Sequence, residues 1–342
     1  MAAREHSVNT FLVAGGAGFL GAHLCRSLLQ KGHRVICLDS FVTGSPQAVS
    51  DMLAHPGFEL IEHDIIDPLP ETLHPTHIFN LACPASPKRY QEDPIFTLRT
   101  CVLGSNNLLE LAVTCNARIL QASTSEVYGD PEQHPQHENY HGNVNPVGTR
   151  SCYDEGKRCA ETLFVEFQRV RGARVKIARI FNTYGPGMAP DDGRVVSNFF
   201  AQALTGRALT VYGDGSQTRS LCYVDDMVEA LQRLMASPED FVGPVNLGGT
   251  EEITVLQIAH MVRELVGHDV PIVFRPLPSD DPCVRRPDTG LAQEKLGWKP
   301  EIPLRLGLAH TYEYFCRSMG NVEGNAASLR ANDSLSVGGA AL

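Results

Sequence analysis

The sequence predicts an α/β fold: a doubly wound parallel sheet with a smaller, irregular α/β lobe toward the C-terminal side. Three observations predict it. Short apolar runs of strand type alternate with helical stretches from Thr10 to Ile180. A glycine-rich turn joins the first strand to the first helix. After Phe181 the alternation gives way to Gly/Pro/Asp stretches around short elements. Strands that alternate with helices pair in parallel through right-handed crossovers.

Taken in order, Thr10–Ala14 is a short β-type run that breaks into glycines, Ala22–Gln30 carries helical spacing, and Gly32 ends it. Arg34–Leu38 is a second buried strand. Further strands are expected at Phe58–Glu62, His77–Ala82, Arg118–Ala122 and Val175–Ile180, with helices over Leu98–Cys115 and Tyr153–Arg171. The loop-rich stretches Gly185–Gly193 and Pro276–Asp288 suit a ligand-covering lobe on a rigid scaffold. The expected division is 1–181 as the sheet domain and 182–318 as the lobe, with about 221–249 returning to the sheet domain. The Gly/Ala/Ser/Asn-rich 319–342 reads as a flexible tail.

Composition narrows the partners. A chain of 342 residues with 43% hydrophobic content buries a full core. A formal charge of −10 argues against nucleic acid. No apolar run approaches the roughly 20 residues that span a bilayer, and no signal-type apolar segment opens the chain, so no membrane association and a cytoplasmic address are expected. The ten cysteines form no Cys-x-x-Cys pair and read as reduced. His134, His137 and His141 cluster in a Pro-rich segment without zinc-like spacing, so no metal is expected.

Gly15-Gly-Ala-Gly18-Phe-Leu-Gly21 stands where a dinucleotide-binding (Rossmann) turn would stand, between strand and helix. Its glycines let backbone N–H groups and a helix N-terminus approach a pyrophosphate. The bland alternative is an ordinary tight turn. Asp39, eighteen residues past Gly21 at the end of the second strand, matches the ribose-binding acid expected about 20 residues on. A carboxylate there accepts from ribose hydroxyls and repels a 2′-phosphate, which favours NAD over NADP. Asp64, after the third strand, is placed for the adenine end.

Tyr153-Asp-Glu-Gly-Lys157 sets a phenol and an ammonium at i and i+4, neighbours on one helical face. A free tyrosine ionises near about 10, and an adjacent cation favours its phenolate. Thr124, in Ser123-Thr-Ser-Glu126 at a strand end, supplies a hydroxyl to align a reacting alcohol. Thr124, Tyr153 and Lys157 then form a proton relay. An exposed Tyr/Lys pair is the alternative for a lone Tyr-x-x-x-Lys.

With Asn182-Thr-Tyr-Gly-Pro186 added, the chain resembles the extended short-chain dehydrogenase/reductases that act on nucleotide sugars. More narrowly, Pro84-Ala-Ser-Pro87, Ser123–Asp130, Cys152–Arg158, Asp192–Phe199 and Gly215–Arg219 resemble the UDP-glucuronate decarboxylase family, from about residue 10 to about 316. The resemblance implies NAD-dependent oxidation at C4 of UDP-glucuronate, loss of carbon dioxide and re-reduction to UDP-xylose, by a homodimer. It implies roles for Glu126 and Ser125 beside the substrate carboxylate and for Arg285 at the carboxylate or diphosphate. It also implies substrate contacts from Tyr90, Arg99, Asn182, Arg194, Tyr212 and Arg219. Around the cofactor it implies Gly15, Gly18, Phe19, Leu20 and Gly21, then Asp39, Ser40, Phe41 and Thr43. Asp64, Ile65, Leu81, Cys83, Thr100, Tyr153 and Lys157 complete that set.

Some positions depart from the family pattern. Cys83 stands for a usual serine, Cys101 for an asparagine, Arg99 for a lysine, Gly187 for an arginine, and Pro70 where some members have tyrosine. The rival readings are a UDP-sugar 4-epimerase, a nucleotide-sugar 4,6-dehydratase, which would carry Asp-Glu after the threonine, and a non-catalytic NAD-binding sensor.

Overall fold

The computed structural model describes residues 8–277 and 284–320. The tail expected over 319–342 therefore lies almost wholly outside the described residues, as does the middle of Pro276–Asp288.

The chain opens with β1 (Thr10–Ala14), α1 (Phe19–Gln30) and β2 (Arg34–Asp39), followed by β3 (Phe58–Glu62) and β4 (His77–Asn80). Two short helices, α2 (Pro87–Glu92) and α3 (Pro94–Arg99), lead through a π-helical turn (Thr100–Gly104) into α4 (Ser105–Thr114) and β5 (Arg118–Thr124). The long α5 (Ser151–Arg171) and β6 (Arg174–Ile180) complete the regular part. Then come β7 (Thr183–Tyr184), α6 (Val195–Leu204), β8 (Leu209–Tyr212), β9 (Thr218–Ser220), β10 (Cys222–Tyr223), α7 (Val224–Ala236) and β11 (Val245–Leu247). The last elements are β12 (Glu252–Thr254), α8 (Val255–Val266), β13 (Ile272–Arg275), α9 (Gly290–Leu296) and α10 (Leu304–Ser318).

Seven parallel strands form the main sheet in the order β11-β6-β5-β4-β1-β2-β3. Successive strand residues point to opposite faces, and both faces are buried. Phe11, Val13, Val35 and Cys37 join the core on one side, with Leu24 and Leu28 of α1 and Leu231 and Leu234 of α7. Leu12, Ala14, Ile36 and Leu38 join the other, with Leu108 and Leu109 of α4 and Phe164 of α5. This two-sided covering explains why these strands read as continuous apolar runs. After the irregular excursion past β6, α7 packs on α1, and β11 extends the sheet on β6.

The helix expected over Leu98–Cys115 begins earlier and is not uniform. Pro94 fits the first helical position, and the Asp93 carboxylate accepts the Phe96 N–H at 2.9 Å. The regular spacing is then interrupted by the π turn, which no apolar periodicity marks. α1 also starts three residues ahead of its expected bound, at Phe19, because the glycine turn delivers the chain directly into helix. The order reverses between β1 and β4, so the loops after β1, β2, β4 and β5 gather at one edge of the sheet. Ligands of open α/β sheets bind outside the carboxyl ends of the strands at such a reversal.

Candidate active site

A cleft of about 1270 Å³ opens at that edge. Gly15, Gly18, Phe19, Leu20 and Gly21 line its floor. Gly15 has φ +78°, and a Cβ there would lie 2.8 Å from the backbone of Leu81 and Ala82. A Cβ on Gly21 would lie 2.1 Å from the Gly15 carbonyl oxygen. Only glycine permits this close crossing of the turn, the helix start and the β4 loop. At the tip of β2, Asp39 is buried and accepts N–H groups from Ala17 at 2.9 Å and Phe41 at 2.8 Å. Burial pushes its acidity down and these N–H bonds restore part of it. Each carboxylate oxygen keeps a lone pair for a ribose hydroxyl. The glycine cradle, the helix start and this acid fit a dinucleotide.

Ser40, Thr43, Asp64, Ile65, Leu81, Cys83 and Thr100 also line the cleft. Phe41 does not. Its half-buried ring packs against the core, so only its backbone serves this site, through the bond to Asp39.

At the other end, β5 delivers Thr124, whose hydroxyl accepts the Glu126 N–H at 3.2 Å and starts the short turn Ser125–Tyr128. α5 presents Tyr153 and Lys157, both buried and both lining the cleft. The Lys157 ammonium donates to the Ala122 carbonyl at 2.9 Å and lies 5.8 Å from the Tyr153 ring centre. Tyr90 stacks on Tyr153 with ring centres 4.9 Å apart and planes inclined by 4°. Its buried hydroxyl, at the cleft, has no hydrogen-bond partner among the described residues. Burial pushes the Tyr153 phenol well above its ordinary range, and the Thr124 side chain pulls the other way. Ionising the Tyr153 phenol against that burial takes positive charge, and Lys157 and an oxidised nicotinamide are the two cations expected to bring it.

Arginines and acids from distant segments converge beside Thr124. Arg285 is almost fully buried, donates to the Ser125 carbonyl at 2.7 Å and pairs with Glu126 at 3.2 Å. Arg150, just before α5, pairs with the same carboxylate. Burial alone would raise Glu126, but the charges of Arg285, Arg150 and Arg219 outweigh it and hold the carboxyl below its usual range. Asp154, next to Tyr153, goes the opposite way. Burial and the Glu126 charge push it up to about 7, and one of its oxygens is buried without a partner among the described residues. A buried pair of acids divided in this way holds one charge and one proton.

Sequence reasoning missed Arg150 and Asp154. Both flank Tyr153 within one helical turn, which was the available signal. It also missed His23, which lines the cleft with Nε2 2.8 Å from the Pro186 carbonyl. Asn182, Arg194, Tyr212 and Arg219 line the cleft, with Arg194 paired to Asp192 and stacked over Phe19. Arg99 is exposed on α3 and does not line the cleft, because the turn of α3 that buries Thr97 and Thr100 carries it outward. His134 sits beside Glu252, and among the described residues no group of three His, Cys, Asp or Glu is placed to hold a metal ion. No helix among them is long and apolar enough to cross a membrane.

Fold and site together define a nucleotide-dependent α/β enzyme. Residues 11–248 match the model of the NAD dependent epimerase/dehydratase family. The chain belongs to that family, and NAD is its cofactor. More particularly, it is 53% identical over 310 residues to UDP-glucuronic acid decarboxylase 6 of Arabidopsis thaliana, covering 90% of this chain and 89% of that protein. It is 50% identical to UDP-glucuronic acid decarboxylase 1 of Danio rerio, over 94% of this chain and 76% of the relative. Among solved structures it resembles the UDP-glucuronic acid 4-epimerase of Bacillus cereus in complex with UDP-glucuronic acid and NAD, with a TM-score of 0.81, 25% identity, and coverage of 90% of this chain and 99% of that one.

Proposed function

We propose that this chain is a UDP-glucuronate decarboxylase that forms UDP-xylose, and that Thr124, Tyr153, Lys157, Glu126, Ser125 and Arg285 carry the reaction. The observation that carries this reading is the convergence of the Glu126–Arg285 pair on the Thr124/Tyr153/Lys157 set at one end of a dinucleotide cleft. The decarboxylase relatives support it.

The Gly15–Gly21 cradle and Asp39 would hold NAD, which would supply reversible hydride acceptance at C4 of the sugar. Tyr153 takes the proton of the 4-hydroxyl, which the Thr124 hydroxyl aligns. Lys157, fixed on the Ala122 carbonyl, keeps its charge on the phenol side of α5. The resulting 4-ketone stands β to the carboxylate. The C5–C6 bond then breaks, its electron pair enters the ketone as an enolate, and carbon dioxide leaves. A proton at C5 completes the pentose. Glu126, ionised between arginines, sets a negative charge beside the reacting carboxylate. Arg219 and Arg285 give this end of the cleft a positive balance that an acidic chain lacks overall. Asn182, Arg194 and Tyr212 serve the nucleotide diphosphate, and Tyr90 serves the sugar.

The second reading is a UDP-glucuronate 4-epimerase, favoured by the likeness to the Bacillus cereus enzyme. Purified protein incubated with UDP-glucuronate separates the readings by mass spectrometry. A product lighter by one carbon dioxide supports decarboxylation. A product of unchanged mass with inverted C4 supports the epimerase, and no product supports a non-catalytic sensor.

The protein is further read as a cytoplasmic homodimer in which residues 1–181 and about 221–249 form the cofactor domain. Ile95, Leu98 and Leu103, apolar yet 71%, 42% and 44% exposed along α3 and the π turn, support a subunit seam there. Nine unbridged thiols among the described residues suit a reducing compartment.

A further inference from the structure

Cys83 and Cys101 stand 18 positions apart in sequence, and their sulfur atoms lie 3.3 Å apart. Cys83 follows β4, lines the cleft and is partly exposed. Cys101 lies behind it in the π turn, buried. The contact also touches the catalytic helix. A Cβ on Gly156, which directly precedes Lys157, would lie 3.0 Å from the Cys101 Cβ and 3.1 Å from its sulfur.

We propose that Cys83 and Cys101 form a redox-active dithiol in the wall of the cofactor cleft, which peroxide closes to a disulfide and which bound NAD shields. A disulfide needs the sulfurs at about 2.05 Å, so they must approach by about 1.2 Å, within reach of small side-chain rotations. The first step falls to Cys83, because it lines the cleft; burial holds its thiol above the ordinary range, so its proton passes to the neighbouring Cys101 sulfur as it reacts. Its thiolate attacks hydrogen peroxide, an S–O bond forms as the O–O bond breaks, and hydroxide leaves. Cys101 then attacks the Cys83 sulfur, the S–S bond forms and the S–O bond breaks. The two thiol protons and two hydroxides leave as water, so two thiols are oxidised and one peroxide is reduced. Cys101 suits the second step, since the hydrogen bond from Cys83 and the Lys157 charge hold it below the ordinary thiol range. Cys25 and Cys37 also interact, but both are fully buried and neither lines the cleft. They are an internal control.

The full chain is treated with hydrogen peroxide, with and without saturating NAD, then alkylated, digested and analysed by mass spectrometry. The expected result is a peptide pair joined through Cys83 and Cys101, lighter by two hydrogen atoms, reversed by dithiothreitol and formed several-fold more slowly with NAD present. Cys25 and Cys37 stay alkylated separately. Cys101→Ser should leave Cys83 at the sulfenic or sulfinic stage with no link to the π-turn peptide. Separate alkylation of both thiols, a bridge from Cys83 to Cys152 instead, or a rate that NAD does not change would each overturn the proposal. None of these readouts requires turnover, so a failed decarboxylase assay leaves the test intact.

Discussion

The two ends of the cleft are built by opposite means. The Gly15–Gly21 and Asp39 end offers a ligand backbone N–H groups, a helix start and one acid held by its neighbours Ala17 and Phe41. At the other end, Glu126, Arg150, Arg219 and Arg285 are brought together from four segments, with Arg285 bonding to the backbone of a residue 160 positions away. The first end uses local geometry that a ligand can enter without rearranging charge. The second stores opposed charges in a buried place, where each depends on the others. Damage to the dinucleotide end should therefore weaken binding, whereas damage to the charged end should reach both chemistry and folding.

The most damaging test is Tyr153→Phe, which keeps the ring stacked on Tyr90 and removes only the proton acceptor. Turnover should fall by about 10²–10⁴-fold, the usual contribution of a placed acid or base. Near-normal NAD binding by titration and an unchanged circular dichroism spectrum should accompany it, and retained turnover would remove Tyr153 as the base. Arg285→Ala comes next. Breaking a buried ion pair costs about 3–5 kcal/mol, so its urea midpoint should drop clearly along with turnover. An unchanged midpoint would show that Glu126 is held by Arg150 and Arg219 without it. Glu126→Gln should slow carbon dioxide release by at least about tenfold and leave NAD affinity alone, measured by trapped product and by nucleotide titration.

Asp39→Asn probes the dinucleotide end. It should weaken NAD by about tenfold, the worth of one charged hydrogen bond, and narrow the preference over NADP, with the fold intact. If NADP already bound more tightly to the unaltered chain, the ribose assignment would fail. The smallest effect is expected from Asp154→Asn. Asp154 keeps its proton in the fold until about pH 7, whereas an unfolded aspartate loses it near about 3.9. The fold is thus fully favoured below that value and loses stability as pH rises toward 7. The asparagine variant lacks this loss, so its advantage in urea midpoint should grow steadily between those limits. Parallel stability curves for the two proteins would show that Asp154 titrates normally.

Period and spacing alone determined the strand–turn–helix opening, the glycine cradle, Asp39 and the Tyr153/Lys157 pair. These depend on residues close in the chain, where β alternation and helical i,i+4 geometry set which side chains share a face. The family resemblance named Arg99, which the fold turns outward, and spacing could not see the π turn that places Cys101 behind Cys83. Only tertiary structure decided how deeply Tyr153 is buried, that arginine charges hold Glu126 below its usual range while burial raises Asp154, and that two thiols meet at the cleft wall. Burial and the sum of charges arriving from remote segments are properties of the assembled molecule, and no local pattern encodes them.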